Sequence, residues 1–488
     1  MPKRIAFIIP PLIEKVWTFA GDQLYLGAAC IAAGLLADGH YVRAIDCAVE
    51  CRSRAELERQ LRECKPDIAA IPAIFGTVEN AYRIARAVKE SCGARVVLGG
   101  LPATFAYERI LAESPEVDVC VVGEGETTMR ELAGGGDLGE IAGLAFRDGG
   151  QLRRTSDRPL VQDLDSQPFP ALQLFPMRRY RAMSLMTSSS KISTNLETKR
   201  GCAYSCEFCV QAPKEGKSYR LRSVESVLDE MERLRVEYPF IRRIMIVDND
   251  FLAPYAHGVG IIEGLLSRGL QEQFEFMIAT RVQNFLRDEE RLTTLCDRAN
   301  IRLVYFGVES VNEKNRARLN KVKADTDLRG LFERMRKKEV HSVGSYIFGF
   351  GNEERSDILE TVSASRHDLP SFVKYNILTP YPGTKVWEEY DKLGLLLAER
   401  PLTEYDNAHQ VVRHPVDGQA MLHWAYRWFH FSPAFIGLIE WLTLFRRKKG
   451  LRLMVFIHHV LRRELFGPAR DAYRYVKYTL MGSDDLIG

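Results

Sequence analysis

Short apolar runs of strand length alternate with longer amphipathic stretches twice along the chain, in residues 1–135 and again in residues 191–400. In the first block, RIAFIIP, HYVRAIDC and PDIAAIPAI are such runs, and AELERQLREC and VENAYRIARAVKESCG are the amphipathic stretches that follow two of them. This alternation predicts parallel sheets covered by helices. Because 488 residues are too many for one ordinary hydrophobic core, we expect separate α/β domains.

The alternation and its breaks divide the chain into four segments. Residues 1–135 are expected to form a doubly wound, Rossmann-like domain. Residues 136–190, with a small hairpin around Asp148-Gly149-Gly150, read as a linker interrupted by prolines. Residues 191–400 hold about six strand–helix units, which predicts a partial (β/α)6, TIM-like barrel with its chemistry at the carboxyl ends of the strands.

Residues 401–488 differ in character, being aromatic, basic and helical in pattern. They are expected to form a C-terminal helical domain, and two interpretations remain open. The domain is either a cap that lines a substrate cavity over the barrel mouth, which we favour, or a peripheral membrane contact through the segment FIGLIEWLTLFRRKK. Tyr405, Asp406 and His409 at its start either reach the barrel mouth or lie in a surface turn, and we favour the surface turn.

Composition narrows the cellular setting and the partners. The formal net charge is +3, from 67 basic and 64 acidic residues, so charge gives no reason to expect a nucleic-acid partner. The first apolar run is too short for a signal-peptide core, and no segment has the roughly 20 apolar residues that span a bilayer. Ten cysteines in such a chain indicate a reducing cytoplasm and thiol or metal chemistry.

Three cysteines stand close together in KRGCAYSCEFCVQAP, directly after the first predicted strand of the barrel. Cys202, Cys206 and Cys209 have the spacing C-x3-C-x2-C. Three thiolates can hold a [4Fe–4S] cluster and leave one iron without a protein ligand, and an open position of this kind is typical of catalytic metal sites. A zinc site completed by a distant histidine is the alternative, disfavoured because no second cysteine pair or H-x3-H motif follows.

Loops at four successive strand ends of the first segment mix glycine or proline with small polar residues. They are AGDQL (20–24), IPAIFGTV (71–78), GGLPATF (99–105) and VGEGETT (122–128). Backbone amides in such loops can approach a polar ligand closely, although ordinary turns would have a similar composition. No G-x-G-x-x-G motif opens the first helix, which disfavours a dinucleotide.

The motif RGCAYSCEFC resembles the signature of the radical S-adenosylmethionine (SAM) superfamily, which has an aromatic residue before the last cysteine. This resemblance implies that Cys202, Cys206 and Cys209 ligate the cluster, that SAM chelates the open iron and that Phe208 packs near the adenine. VDNDF (247–251) stands where the family often has a Gly-Gly-Glu-like motif, and it lacks the glycines. The further SAM contacts implied are Asp248, Asp250, Arg281, Glu309, Gly349 and Tyr381.

With GGLPATF and VDVCVVGEGETT upstream, residues 1–400 resemble the cobalamin-binding radical SAM enzymes. The resemblance implies that residues 72–78 and 20–24 face the corrin and that the two later loops line the nucleotide tail of cobalamin. No D-x-H-x-x-G motif supplies a histidine ligand, so Ile74, Phe75 or Thr77 would lie beneath the cobalt. The cobalamin contacts implied are Gly21, Asp22, Gln23, Ile74, Phe75, Thr77, Gly99, Gly100, Pro102, Thr104, Gly123, Glu124, Gly125 and Glu126.

The resemblance implies a cobalamin-dependent radical SAM methyltransferase. A 5′-deoxyadenosyl radical would take hydrogen from an unactivated carbon, and methylcobalamin would deliver the methyl group. Two alternatives remain: a cobalamin-dependent radical SAM cyclase or ring-contraction enzyme, and, more remotely, a non-catalytic iron–sulfur and corrinoid electron-transfer or sensor protein. The expected partners are a reductase or flavodoxin-type electron donor and a small-molecule, peptide or lipid substrate.

Overall fold

The structure, a computed structural model, describes residues 1–12, 23–51, 53–181, 191–211, 218–312, 315, 326–351, 353–397 and 399–430. Two largely parallel sheets covered by helices dominate these ranges, which confirms the predicted α/β class. None of the helices in this part of the chain is long and apolar enough to cross a membrane.

Within the described residues the first sheet has seven strands. They are β1 (Arg4–Ile9), β2 (Tyr41–Asp46), β3 (Ile68–Ala73), β4 (Arg95–Gly100), β5 (Val119–Val121), β6 (Leu144–Asp148) and β7 (Gln151–Arg154). Their spatial order is β2-β1-β3-β4-β5-β6-β7, with β1 to β5 parallel and the last two antiparallel. The predicted hairpin is therefore present, and it extends the first sheet. The strand order reverses between β1 and β3, which is where doubly wound sheets bind ligands.

Helices cover both faces of this sheet. They are α1 (Leu26–Ala37), α2 (Arg54–Cys64), α3 (Val78–Cys92), α4 (Leu101–Phe105), α5 (Tyr107–Glu113) and α6 (Glu126–Gly134). Alternate residues of β1 enter opposite cores, Phe7 on the side of α1 and Ile8 on the side of α3. Burial on both faces explains why the strand is a continuous apolar run and does not alternate with polar residues.

The second sheet is the predicted partial barrel. It consists of β8 (Ser193–Leu196), β11 (Arg243–Ile246), β12 (Glu275–Arg281), β13 (Ile301–Glu309), β14 (His341–Phe348) and β15 (Phe372–Ile377), all parallel and in chain order. A short antiparallel pair, β9 (Lys199–Arg200) with β10 (Arg220–Leu221), flanks the cysteine motif. Helices around the barrel are α7 (Val224–Glu237), α8 (Tyr255–Ser267), α9 (Val282–Leu286), α10 (Glu289–Arg298), α11 (Leu328–Lys337), α12 (Arg355–Asp368) and α13 (Lys385–Lys392).

After α13, the chain returns to pack beside β15, the last strand of the barrel. Ile377 N donates to Asn407 O at 2.8 Å, so residues near 407 continue the rim of the barrel beside β15. Helix α14 (Gly418–His430) then packs on the same strand, where Tyr426 OH accepts from Tyr375 N at 3.0 Å. The segment FIGLIEWLTLFRRKK, on which the membrane interpretation depends, lies outside the described residues.

Candidate active site at the facing strand ends

The cysteine motif lies at the carboxyl end of β8, and each of its three sulfurs has a hydrogen-bond donor nearby. Burial raises the pKa of Cys202, and the backbone amide of Tyr204 opposes that rise. Burial also raises the pKa of Cys209 to about 11, against the backbone amide of Gln211. Cys206 Sγ lies 3.9 Å from Nη1 of Arg281. The two amides oppose the effect of burial on Cys202 and Cys209, and the guanidinium lies against Cys206.

The three cysteines also share one electrostatic environment. Cys206 acts on the pKa of both Cys202 and Cys209, and Glu309 at the end of β13 acts on that of Cys209. Among the residues that the structure describes, no group of three His, Cys, Asp or Glu side chains is close enough together to hold a metal ion. The donor set and chemistry fit an iron–sulfur cluster, and ligation by these three residues stays a prediction.

Asp250 is the centre of a buried hydrogen-bond network beside the cysteine motif. Its Oδ1 accepts from Thr280 Oγ1 at 2.7 Å and from Arg281 N at 3.4 Å. Its Oδ2 accepts from Asn284 Nδ2 at 2.7 Å, and that amide also lies 3.1 Å from Tyr204 OH. Burial raises the pKa of Asp250 despite these bonds. The carboxylate thus joins β11, β12 and α9 to the cysteine loop.

Asp248, two residues earlier, has a different set of partners. Its carboxylate accepts from Thr198 N at 2.8 Å and from the Thr198 hydroxyl, and it lies 3.3 Å from Lys199 Nζ. The lysine also donates to Phe251 O at 2.9 Å. These bonds tie the end of β11 to the turn that leads into the cysteine motif. Contacts of Asp248 and Asp250 with SAM stay predictions.

Glu309 and Gly349 lie at the ends of neighbouring strands, as expected for residues of the barrel mouth. Glu309 is buried in a left-handed conformation, with φ of 73°, next to a register shift between β13 and β14. Gly349 has φ of 90°, and its amide donates to Glu353 Oε2 at 2.5 Å. Glu353 also accepts from Phe350 N at 3.1 Å and from Asn315 Nδ2 at 2.6 Å. The Glu353 carboxyl therefore fixes the Gly349 turn.

This carboxyl predicts a pH-dependent contribution to stability. Burial raises the pKa of Glu353 from 4.5 to about 7, although the Gly349 and Phe350 amides oppose the shift. A raised folded-state pKa means that stability is greatest when the group is protonated and is lost as pH rises through the folded value. Between pH 5.5 and pH 8 we expect Glu353 to reduce the free energy of unfolding by about 2 kcal/mol.

The measurement is urea unfolding of the wild type and of Glu353→Gln at both pH values. The variant keeps the side-chain shape and cannot ionise, so the wild-type advantage should shrink as pH rises. A difference between the two proteins that stays constant from pH 5.5 to pH 8 would contradict the assignment.

Aromatic rings join the barrel mouth to the first domain. Tyr381, after β15, has its ring centroid 5.0 Å from that of Phe75, which follows β3, and Phe75 is 5.9 Å from Tyr405. The Cys209 charge reaches the Tyr381 hydroxyl, and Phe208 packs against a small apolar cluster that includes Phe350 and Tyr390. The carboxyl edges of both sheets therefore face each other beside the cysteine motif.

Tyr405, Asp406 and His409 lie at this same junction. Tyr405 is buried against Phe75, and Asp406 Oδ2 lies 2.9 Å from His409 Nδ1. Of the two interpretations of these residues, the structure favours the barrel mouth.

Glycines after β4 and β5 leave space at the edge of the first sheet. Among the described residues, a Cβ on Gly99 would have only Val121 Cβ near it, at 4.0 Å, and one on Gly123 would meet nothing within 4 Å. Thr104 bridges the two loops, because its hydroxyl donates to Gly100 O at 3.0 Å and accepts from Gly123 N at 3.1 Å. Pro102, in the first turn of α4, is buried. This open edge, with backbone groups fixed around it, fits a cobalamin tail.

The residues predicted to face the corrin are only partly described. Gly21 and Asp22 lie outside the described residues, and Gln23 Oε1 is 3.5 Å from Asn195 Nδ2 on β8. Ile74 is 41% exposed, which is unusual for a large apolar side chain. This exposure is consistent with the predicted contact with cobalamin. Thr77 is fully buried, and its hydroxyl bonds the backbone of Ile74, so its part is to shape the loop.

Glu124 and Glu126 are engaged by the second domain. Glu124 Oε1 lies 2.9 Å from Arg220 Nη2 and 3.2 Å from Arg200 Nη1, and Glu126 Oε1 lies 2.7 Å from Arg200 Nη2. Burial alone would raise the pKa of Glu124, but the two arginines and the Val161 amide lower it. We call these four side chains the interdomain ion cluster. Gly125, between the two glutamates, packs against Ile31 of α1.

Sequence reasoning missed Tyr204, Asn284, Glu353 and the two arginines of the ion cluster. Tyr204 lies inside the cysteine motif and Arg200 two residues before it, so proximity was an available signal for both. Asn284 and Glu353 are recognisable only from the packing of elements distant in sequence.

Comparisons with known proteins agree with this two-domain arrangement. Residues 16–133 match the B12 binding domain family, and residues 196–364 match the radical SAM superfamily. The chain is 28% identical to an uncharacterized methyltransferase of Pyrococcus horikoshii, over 96% of this chain and 99% of that one. It is 28% identical to the anaerobic magnesium-protoporphyrin IX monomethyl ester cyclase of Cereibacter sphaeroides, over 79% of this chain and 63% of that enzyme.

A solved structure shares the fold over most of the chain. The radical SAM methyltransferase TsrM from Kitasatospora setae, with cobalamin and a [4Fe-4S] cluster bound, superimposes with a TM-score of 0.68 at 18% identity. The match covers 88% of this chain and 90% of TsrM. With a B12 binding domain followed by a radical SAM domain, the chain has the domain organisation of the cobalamin-binding radical S-adenosylmethionine enzymes.

Proposed function

We propose that the protein is a cobalamin-dependent radical SAM methyltransferase that methylates an unactivated carbon. The observation that carries the proposal is the contact between Phe75 and Tyr381, with ring centroids 5.0 Å apart. It joins the edge predicted to hold cobalamin to the edge that carries the cysteines. Bound there, SAM and a [4Fe–4S] cluster supply a 5′-deoxyadenosyl radical, and cobalamin supplies the methyl group.

The chain's own residues set up this arrangement. Amides of Tyr204 and Gln211 and the Arg281 guanidinium stabilise negative charge on the three sulfurs. Gly383 in the Tyr381 turn fits against Phe105, where a Cβ would approach the ring to 2.4 Å. The interdomain ion cluster fixes the Glu124 loop against β9 and β10. Together these contacts hold the two cofactor-binding edges in one orientation.

The proposed reaction also indicates a cellular compartment, an electron donor and a substrate class. No disulfide joins any two of the ten cysteines, all of which lie in the described residues, and this suits a reducing cytoplasm. A flavodoxin-type or other reductase would supply electrons. The substrate class proposed is a small molecule, peptide or lipid that enters at the aromatic junction of Phe75, Tyr381 and Tyr405.

The experiment measures both products of SAM. Anaerobically reconstituted protein is incubated with dithionite, SAM carrying a deuterated methyl group, and small-molecule and lipid extracts of cells that naturally express it. We expect 5′-deoxyadenosine and S-adenosylhomocysteine in equal amounts, together with a substrate carrying the labelled methyl. A visible spectrum recorded beforehand verifies that corrinoid and iron–sulfur bands are both present.

A second candidate is a cobalamin-dependent radical cyclase or rearrangement enzyme, favoured by the 28% identity to the magnesium-protoporphyrin cyclase. Formation of 5′-deoxyadenosine that depends on the extract, with no S-adenosylhomocysteine, would reject methyl transfer and support this candidate. Reduced protein that cleaves no SAM at all would support an electron carrier or sensor.

A further inference from the structure

Arg281 places a charged donor against a sulfur of the cysteine motif. It ends β12, is 7% exposed, and its Nη1 lies 3.9 Å from Cys206 Sγ. The backbone amides of Tyr204 and Gln211 donate hydrogen bonds to Cys202 and Cys209, respectively. One guanidinium therefore lies directly against a sulfur of the motif.

The guanidinium is held in place by its neighbours in the cysteine loop. Its Cζ lies 3.7 Å from the centre of the Tyr204 ring, a close cation–π contact. The Tyr204 hydroxyl is in turn 3.1 Å from Asn284 Nδ2, which donates to Asp250. Asp250 also accepts from the backbone amide of Arg281 itself. Both ends of the arginine are thus fixed by one connected network.

A fixed positive charge beside a cluster-bound sulfur has a defined electrostatic effect. Reduction adds one negative charge to an iron–sulfur cluster, and the potential depends on net charge, on hydrogen bonds to the sulfurs and on solvent exposure. A buried cation stabilises the more negative, reduced state more than the oxidised one, and low exposure strengthens the interaction. Arg281 should therefore make the cluster easier to reduce.

We propose that Arg281 is a positioning residue that raises the reduction potential of the iron–sulfur cluster, and that Tyr204 holds its guanidinium against Cys206. The inference rests on the proposed function only in requiring that the cysteines bind a cluster. It differs from the expectation that Arg281 pairs with the carboxylate of SAM, because its effect should be present without SAM.

The test is a redox titration of the anaerobically reconstituted protein, followed by electron paramagnetic resonance, with dithionite as the one-electron reductant and no SAM added. Arg281→Gln removes the charge. Arg281→Lys keeps the charge but loses the planar guanidinium that stacks on the Tyr204 ring. Arg287→Gln is the matched control, because Arg287 also lies over a tyrosine, Tyr255 at 5.4 Å, but is exposed and away from the cysteines. Iron and sulfide content verifies cluster loading in each protein.

We expect the equilibrium constant for reduction to fall about tenfold in Arg281→Gln, which is a shift of about 59 mV to more negative potential. Arg281→Lys should lie between that variant and the wild type, and Arg287→Gln should match the wild type. If Arg281→Gln takes up no cluster, Tyr204→Leu, which removes the stacking ring, should show a smaller shift in the same direction.

An unchanged potential in loaded Arg281→Gln or, where that variant is not loaded, in loaded Tyr204→Leu would overturn the inference. A shift that appears only after SAM is added would overturn it too, since it would assign Arg281 to SAM binding. Because the titration needs no substrate and no methyl transfer, its result is independent of the product assay. The two proposals can therefore fail separately.

Discussion

Replacing Cys206 with alanine is expected to abolish reductive cleavage of SAM while the fold survives. Cys206 is partly exposed on the loop after β8, and its side chain is small, so its loss leaves little unfilled volume. Three thiolates leave one of the four irons without a protein ligand. Removing one of them would leave two irons without a protein ligand and weaken cluster binding. The measurement is 5′-deoxyadenosine formed by dithionite-reduced protein, together with iron and sulfide content.

The matched control is Cys92→Ala. Cys92 is a partly exposed thiol at the end of α3, on the first domain, with its sulfur 3.4 Å from Val88 O. This variant should keep both its iron and its SAM cleavage. Cleavage at the wild-type rate by Cys206→Ala would contradict the assignment of the cysteine motif. Thermal unfolding midpoints of both variants separate loss of the cluster from loss of the fold.

Gly100→Ala is expected to destabilise the first domain by at least about 3 kcal/mol. Gly100 has φ of 103° and ψ of −168°, a region that is essentially restricted to glycine. A Cβ there would lie 2.1 Å from the carbonyl oxygen of Ala73, its register partner on β3. Since backbone of the adjacent strand cannot move aside without breaking the ladder, the clash adds to the strain. Urea unfolding measures the loss.

Gly99→Ala is its control, one residue earlier on the same strand. Its Cβ would approach no atom of the described residues closer than 4.0 Å, so the unfolding free energy of the cobalamin-free protein should stay near that of the wild type. The same methyl would enter the edge predicted to hold the nucleotide tail, so cobalamin affinity should fall. Similar unfolding midpoints for the two alanine variants would contradict the backbone account of Gly100.

The architecture was predictable because its signal is local. Runs such as RIAFIIP and HYVRAIDC became β1 and β2 with boundaries close to those expected, since apolar periodicity and glycine turns act within a few residues. The hairpin at Asp148 was also recognised from its turn. Its pairing with β5 was not, because a two-strand extension of the sheet depends on partners that the local pattern does not specify.

The site was predictable only as far as its residues stand at strand ends. Cys202, Asp250, Arg281 and Glu309 all follow or end barrel strands, and the fold brings them together. What sequence could not supply is how each polar atom is used. Asp248 and Asp250 look equivalent in VDNDF, yet one bonds Thr198 and the other bonds Thr280 and Asn284. Those choices depend on side-chain direction and burial, which a one-dimensional pattern does not encode.

The interdomain ion cluster has a consequence for how the protein responds to its solvent. Each of the four side chains is at most 12% exposed, so mobile ions cannot surround the charges. Salt screens exposed pairs over about 8 Å at physiological ionic strength but affects enclosed pairs far less. The spacing between the two facing strand edges should therefore be the same in dilute buffer and in the crowded, salty interior of a cell. In the proposed reaction a methyl group passes from the first edge to a substrate at the second, over a spacing that these buried charges keep independent of ionic strength.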